Sequence, residues 1–168
     1  MNSEPKLQDR TAIPYVGIRS QVTMAEMGPT LPPLWGEIFA WLGSKGINPA
    51  GAPFWRYRIV DMEKTLEIDV AIPLAEAISG EGRIIADTLP AGRYLTMIYT
   101  GPYEGDGLMH ATDHFLKWAD RNGIVWDKWP EGETGEGWDA RLEHYWTDPT
   151  EQPDPNKYET ELAFKTKG

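Results

Sequence analysis

The order of elements read in residues 13–75 recurs in residues 92–168, and this duplication limits the fold more than any single motif. In the segment Tyr15 to Met24, Val16, Ile18, Val22 and Met24 fall on even positions, the alternation of a half-buried strand. Gly28-Pro29-Thr30-Leu31-Pro32-Pro33 interrupts that pattern as a cluster of breakers. Leu34 to Leu42 is then apolar at i, i+1, i+4, i+5, i+7 and i+8, which predicts an amphipathic helix ending near Gly43 or Gly46. Phe54 to Val60 and Leu66 to Leu74 predict a hairpin closed by Asp61 to Thr65. The second copy reads as a strand over Gly92 to Thr100, a helix over His110 to Asn122, and strands over Arg141 to Thr147 and Tyr158 to Thr166. Trp41 aligns with Trp118, and Gly46-Ile47 with Gly123-Ile124. A lone βαββ unit leaves one sheet face poorly covered, so two copies are expected to pack together. The expected fold is α+β: tandem pseudo-symmetric βαββ repeats forming an antiparallel sheet with two helices and a central cleft. Residues 13–168 read as a single domain, with halves at about 13–75 and 92–168, behind a flexible N-terminal arm of residues 1–12.

Composition narrows what such a cleft can do. The chain of 168 residues contains no cysteine, which removes disulfides, thiolate metal sites and cysteine nucleophiles together. Its formal charge of −10 disfavours direct binding to nucleic acid, where affinity rests on Lys and Arg displacing counterions. No apolar run approaches the roughly 20 residues that span a bilayer, and Met1 to Arg10 has no signal-peptide pattern, so a cytoplasmic protein without membrane contact is expected. Among the eight Trp, seven Tyr and four Phe, Trp stands well above what a core of this size needs, and large rigid rings serve either to fill a core or to line a pocket.

Three local patterns resemble binding motifs and are set aside on their chemistry. His110 and His114 stand one helical turn apart, but the Glu that follows the first His in a zincin helix is missing, so no metal is expected. The glycine-rich stretch Glu131 to Gly137 has no Lys and is acidic, unlike a phosphate loop. Asp148 to Glu161 carries acids without the glycine or spacing of an EF-hand. The insertion Asp127 to Asp139, bracketed by Trp126, Trp129 and Trp138, reads as a mobile aromatic lid, with anchoring of the loop as the other reading.

The runs Thr100-Gly101-Pro102-Tyr103-Glu104, Phe115-Leu116-Lys117-Trp118-Ala119-Asp120-Arg121-Asn122-Gly123 and Leu142-Glu143-His144-Tyr145-Trp146-Thr147-Asp148-Pro149, followed by Thr160-Glu161-Leu162, together resemble the gyrase-inhibitor-like (GyrI-like) domain. The resemblance covers residues 14 to 166, with a departure at Leu162-Ala163-Phe164-Lys165-Thr166, where the family ends in a more apolar, proline-terminated strand. It implies two βαββ halves around a concave pocket for bulky, often aromatic and cationic small molecules, with Glu143 as the pocket carboxylate. The same domain is the effector-binding half of multidrug-sensing regulators of the AraC and MerR types. About a dozen residues precede the first strand, so a stand-alone ligand-binding domain is expected.

Alternation along β-structure sorts the remaining candidates. Arg141, Glu143 and Tyr145 share one face, with Leu142, His144 and Trp146 on the other. In the matching strand Trp55 and Tyr57 share a face and are expected to approach the cleft from the opposite side, although the pattern equally fits core rings. Trp35 and Phe39 lie one helical turn apart, Tyr99 and Tyr103 stand at the strand that opens the second half, and Trp138 is close in sequence to Glu143. All are taken as ligand-binding candidates. The resulting function is capture of hydrophobic, aromatic or cationic xenobiotics, with no cofactor. Two alternatives stay open: a hydrolase of cyclopropane-bearing DNA-alkylating compounds, in which Glu143 and Tyr145 act on the ligand, and a protein that binds and inhibits gyrase or partners a regulator.

Overall fold

Both long helices stop in the same way, and the identity of that stop marks the repeat in three dimensions. Gly46 and Gly123 each adopt φ of 70°, a left-handed conformation that glycine reaches without steric penalty. The next residue folds back in each case: the Ile47 N–H donates to the Leu42 carbonyl at 3.0 Å, and the Ile124 N–H to the Ala119 carbonyl at 3.0 Å. The computed structural model describes all residues from 1 to 168.

The chain runs β1 (Lys6–Arg10), β2 (Ile13–Val22), α1 (Met24–Thr30), α2 (Pro32–Lys45), β3 (Phe54–Val60), β4 (Leu66–Pro73), β5 (Ile84–Leu89) and β6 (Gly92–Thr100). It continues with α3 (Gly107–Arg121), β7 (Lys128–Glu131), β8 (Gly135–Trp138), β9 (Arg141–Tyr145) and β10 (Glu159–Lys165). The sheet order is β1-β6-β10-β9-β3-β4-β2-β5, antiparallel throughout. Reading outward from the middle, β9, β10 and β6 mirror β3, β4 and β2, so the fold is α+β with two pseudo-symmetric βαββ halves, curled into a half-barrel. The halves meet at one seam, where Phe54 pairs with His144, Trp55 with Glu143 and Arg56 with Leu142.

Alternation divides the sheet's side chains between two cores. On the helix side, Ile38 and Leu42 of α2 and Phe115 of α3 pack with Ile68, Val70, Leu95, Met97 and Leu162. On the opposite face, Tyr15, Phe54, Tyr94 and Leu142 form a smaller cluster with Leu89. Fully burying one such side chain is worth about 1.5–3 kcal/mol, and both faces of the central strands gain it. None of the helices is long and apolar enough to cross a membrane.

Four expectations need correction. The arm expected to be flexible carries β1, an edge strand that pairs Lys6 with Thr96 and Arg10 with Gly92 through backbone bonds. Its polar side chains hide this, because an edge strand needs a partner's backbone more than an apolar face. The breaker cluster is a helix corner: Glu26 accepts the Thr23 N–H at 2.8 Å to start α1, and Pro32-Pro33 opens α2, where the first N–H groups have no acceptor to lose. Leu31, fully buried, pins that corner. β5, for which the sequence pattern predicts no strand, covers the edge of β2 with Ile84 and Leu89 buried.

The fourth correction concerns the insertion, which is not a lid. β7 and β8 form a hairpin whose second strand adds to β3, pairing Ile59 with Gly137 and Val60 with Glu136. The Thr134 hydroxyl donates to Asp61 at 2.8 Å, fastening the tip to the β3–β4 turn. Trp138 is buried beside Trp126 and Phe164 at ring distances of 5.7 and 5.5 Å. Anchoring, rather than mobility, uses these rings.

Candidate functional site

A cavity of about 1260 Å³ lies over the seam, between the α1–α2 corner on one side and α3 on the other. Its floor is the helix-side face of the two central strands: Trp55 and Tyr57 from β3, and Arg141, Glu143 and Tyr145 from β9. Each strand delivers alternate residues to this floor, because successive side chains point to opposite sheet faces. The intervening Leu142 and His144 go to the other face, as their burial with Phe54 shows.

Glu143 is buried, and one of its oxygens is fully engaged. The Tyr145 hydroxyl donates to Oε1 at 2.6 Å and the Tyr57 hydroxyl donates to the same atom at 3.1 Å. Oε2 has no donor within the chain and stays accessible from the cavity. Burial pushes the Glu143 carboxyl above its ordinary range, while the Tyr145 hydrogen bond, the Arg141 charge and the Tyr57 hydrogen bond pull it back. The two phenols are driven well above their usual range by burial and by the neighbouring carboxylate, so they remain protonated donors. This arrangement holds the carboxyl group in place and leaves one oxygen open to the cavity.

Rings surround that carboxylate. Trp35 stacks on Trp55 with centroids 5.7 Å apart and planes 21° from parallel. Tyr145 meets Trp35, Trp55 and Tyr103 edge-on at 5.3, 5.4 and 5.3 Å. The Tyr103 hydroxyl donates to the Thr147 carbonyl at 2.6 Å and accepts the Thr147 N–H at 2.9 Å, which fixes its ring at the cavity wall. Edge-to-face pairs of this kind contribute about 0.5–1.5 kcal/mol each beyond their burial. Phe39 stands at the mouth, 43% exposed.

Of the nine residues singled out in the sequence, seven line this cavity: Glu143, Tyr145, Trp35, Phe39, Trp55, Tyr57 and Tyr103. Two do not. Tyr99 lies on β6, and its phenol fills the space against Gly101 and Gly107, where an added Cβ would come within 2.3 and 2.1 Å of its oxygen. Its ring therefore shapes the turn into α3. Trp138 belongs to the helix-side core beside the cavity, with the Arg141 guanidinium 5.0 Å from its ring.

Sequence reasoning missed a methionine rim. Met24, Met27, Met62 and Met109 all line the cavity, although they come from α1, the β3–β4 turn and α3. Flexible thioethers adapt to ligands of different outline and suit surfaces that accept many partners. No local signal marks them, since only the tertiary fold brings them together. His110 and His114 are exposed on α3 and stand outside the cavity lining.

Comparison with known proteins agrees with this geometry. The chain matches the family model of the GyrI-like small molecule binding domain over residues 3–167. No curated protein matches the sequence. Among solved structures, the EcmrR C-terminal domain superposes with a TM-score of 0.74 at 20% identity, covering 98% of this chain and 97% of that one. EcmrR in its complex with DNA gives 0.75 at 20% identity, and there this chain covers 97% of its own length but spans only 57% of the larger protein. SAV2435 bound to tetraphenylphosphonium gives 0.63 at 13% identity, covering 99% and 95% of the two chains. At these identities the solved structures establish the fold. With the family model matching nearly the whole length, the chain belongs to the GyrI-like small-molecule-binding domain family.

Proposed function

We propose that the cavity captures hydrophobic aromatic molecules, lipophilic cations among them, by stacking them within the ring wall against the free oxygen of Glu143. The observation that carries this reading is the buried carboxylate whose Oε1 takes two phenol donors while Oε2 takes none. An ionised carboxylate in a ring-lined cavity has lost hydration that an incoming cation restores. Each ring face adds cation–π attraction of about 0.5–2 kcal/mol once water is excluded. Ring stacking without fixed hydrogen bonds, together with the methionine rim, supports broad rather than narrow selectivity. Tetraphenylphosphonium, the molecule bound in the structural relative SAV2435, is the natural first probe.

A second reading is favoured by one distance. The Tyr145 hydroxyl stands 2.6 Å from a carboxyl whose basicity burial has raised, a pair in which Glu143 accepts a proton from the water that adds to a cyclopropane carbon, while Tyr145 protonates the phenol oxygen that forms as the strained ring bond breaks. This would make the protein a hydrolase of strained, cyclopropane-bearing alkylating compounds. A single experiment addresses both readings: tryptophan fluorescence is followed during titration with tetraphenylphosphonium and with neutral triphenylphosphine oxide, for wild type and Glu143→Gln, and a cyclopropane-bearing compound is incubated in parallel with product analysis. Capture predicts saturable binding of both probes, with Glu143→Gln weakening the cation by at least about tenfold, or 1.4 kcal/mol, and the neutral probe little. Equal losses for the two probes would remove the electrostatic role of Glu143. Ring-opened product that disappears in the variant would establish the hydrolase.

A further inference from the structure

Two residues before Glu143 on the same strand face, Arg141 presents a second charge to the cavity. Its guanidinium carbon lies 4.8 Å from the Phe164 ring centroid, 5.0 Å from Trp138 and 5.5 Å from Tyr57. Those three rings hold the group in position without occupying its hydrogens. None of its five N–H donors is bonded within the chain, and none of its nitrogens is fully enclosed. The other arginines anchored on the sheet differ. Arg56 donates to the Asp139 carbonyl at 2.8 Å and the Tyr15 hydroxyl at 3.1 Å, Arg19 meets Asp69 at 2.8 Å, and Arg10 meets Glu161 at 2.9 Å. Arg58 faces Glu67 at 3.4 Å. Arg141 alone among them is held by rings and left with open donors, and those donors border the cavity that Glu143 shares.

We propose that Arg141 is the acceptor-recognising residue of this cavity, so that its preferred ligands are planar aromatic zwitterions that bring a carboxylate to Arg141 and a cationic or donor group to Glu143. The inference rests on the small-molecule reading above and specifies its ligand class. A guanidinium fork matches a carboxylate with two parallel hydrogen bonds, which an ester cannot reproduce. Residues i and i+2 of a strand stand about 6.5–7 Å apart, so the two charges address separate groups of one ligand. A ligand with a positive charge alone is drawn to Glu143 but repelled by Arg141, and an anion meets the reverse. A zwitterion satisfies both.

Rhodamine 110 and rhodamine 123 test this, because the second is the methyl ester of the first and the two are otherwise the same. Dye anisotropy is followed as wild type, Arg141→Gln and Arg141→Lys are added. Wild type is expected to bind rhodamine 110 about tenfold more tightly, the scale of one charge-assisted hydrogen bond. Arg141→Gln abolishes that preference and binds rhodamine 123 as well as or better than wild type, since a like charge has gone. Arg141→Lys, which keeps charge without the fork, falls between. A loss of packing alone would weaken both dyes equally in Arg141→Gln, and that result overturns the proposal. If Arg141→Gln does not fold, the wild-type ratio decides: equal affinity, or preference for the ester, overturns the role of Arg141 while leaving the capture reading intact. Failure of wild type to bind either dye would overturn both.

Discussion

Burial of Glu143 costs the folded chain stability. Its carboxyl is raised from the ordinary value of 4.5 by burial, the largest of the influences on it. Below that value the group is protonated in both folded and unfolded chains and makes no difference to stability. As pH rises through the raised folded value, the unfolded chain ionises more readily than the folded one, so stability falls and stays lower at neutral pH. Glu143→Gln keeps an oxygen that both phenols can donate to but cannot ionise. The variant is therefore expected to melt higher than wild type at neutral pH, with each kcal/mol of relief raising Tm by about 2–4 °C, and to match wild type below pH 4.5. Thermal scans across pH check this, and a lower Tm at neutral pH would show that the phenol bonds outweigh desolvation. A gain in Tm alongside weaker cation binding is the usual signature of a residue kept for function.

At the scale of elements, close approach between strands separates two glycines that look alike in sequence. A Cβ on Gly17 of β2 would lie 2.5 Å from the Val70 carbonyl oxygen of β4, a backbone atom held in the ladder. Gly17→Ala is expected to lose about 1–3 kcal/mol in urea unfolding. A Cβ on Gly137 of β8 would instead meet the Trp129 ring at 2.2 Å, a side chain that is 45% exposed and held by one hydrogen bond to Glu131, so that the clash falls on a surface side chain and not on backbone. Gly137→Ala should stay within about 1 kcal/mol of wild type, and comparable losses for both would mean that the hairpin is as rigid as the central sheet. Alternation made β2, β3, β4, β6, β9 and β10 legible in the sequence, since each buries a regular set of side chains. β1 and the β7–β8 hairpin were not legible, because backbone pairing and single anchors such as Asp61 with Thr134 hold them. Pro32-Pro33 has the sequence pattern of an interruption but begins a helix, because proline fits the first helical turn without losing a hydrogen bond.

For the molecule as a whole, the cavity is built across the one seam that joins the halves. Ligand binding should thus slow amide exchange on both β3 and β9, together with the facing segments of α2 and α3, and raise Tm as the ligand saturates. At a hundredfold excess over Kd the stabilisation is about 2.7 kcal/mol. Exchange mass spectrometry with and without tetraphenylphosphonium measures this, and protection limited to one half would place the ligand elsewhere. The floor of the cavity was legible from strand parity: Glu143 with Tyr145, and Trp55 with Tyr57, share the face that lines it. Its walls were less so. Trp138 and Tyr99 are rings of the same chemical type as Trp55 and Tyr103, and only their neighbours in space assign them to the core and to a turn. The seam also bears on what a duplicated chain can do that a pair of identical chains cannot. Two copies of one unit related by a two-fold axis would bring the same residues to the floor from both sides, so a carboxylate would face a second carboxylate and an arginine a second arginine. Joined in one chain, the copies are free to differ: β3 offers the neutral Trp55 and Tyr57, and β9 offers the charged Arg141 and Glu143. A lone buried carboxylate in an aromatic cage is thus a form of broken symmetry, open to a covalent repeat and closed to its homodimeric counterpart.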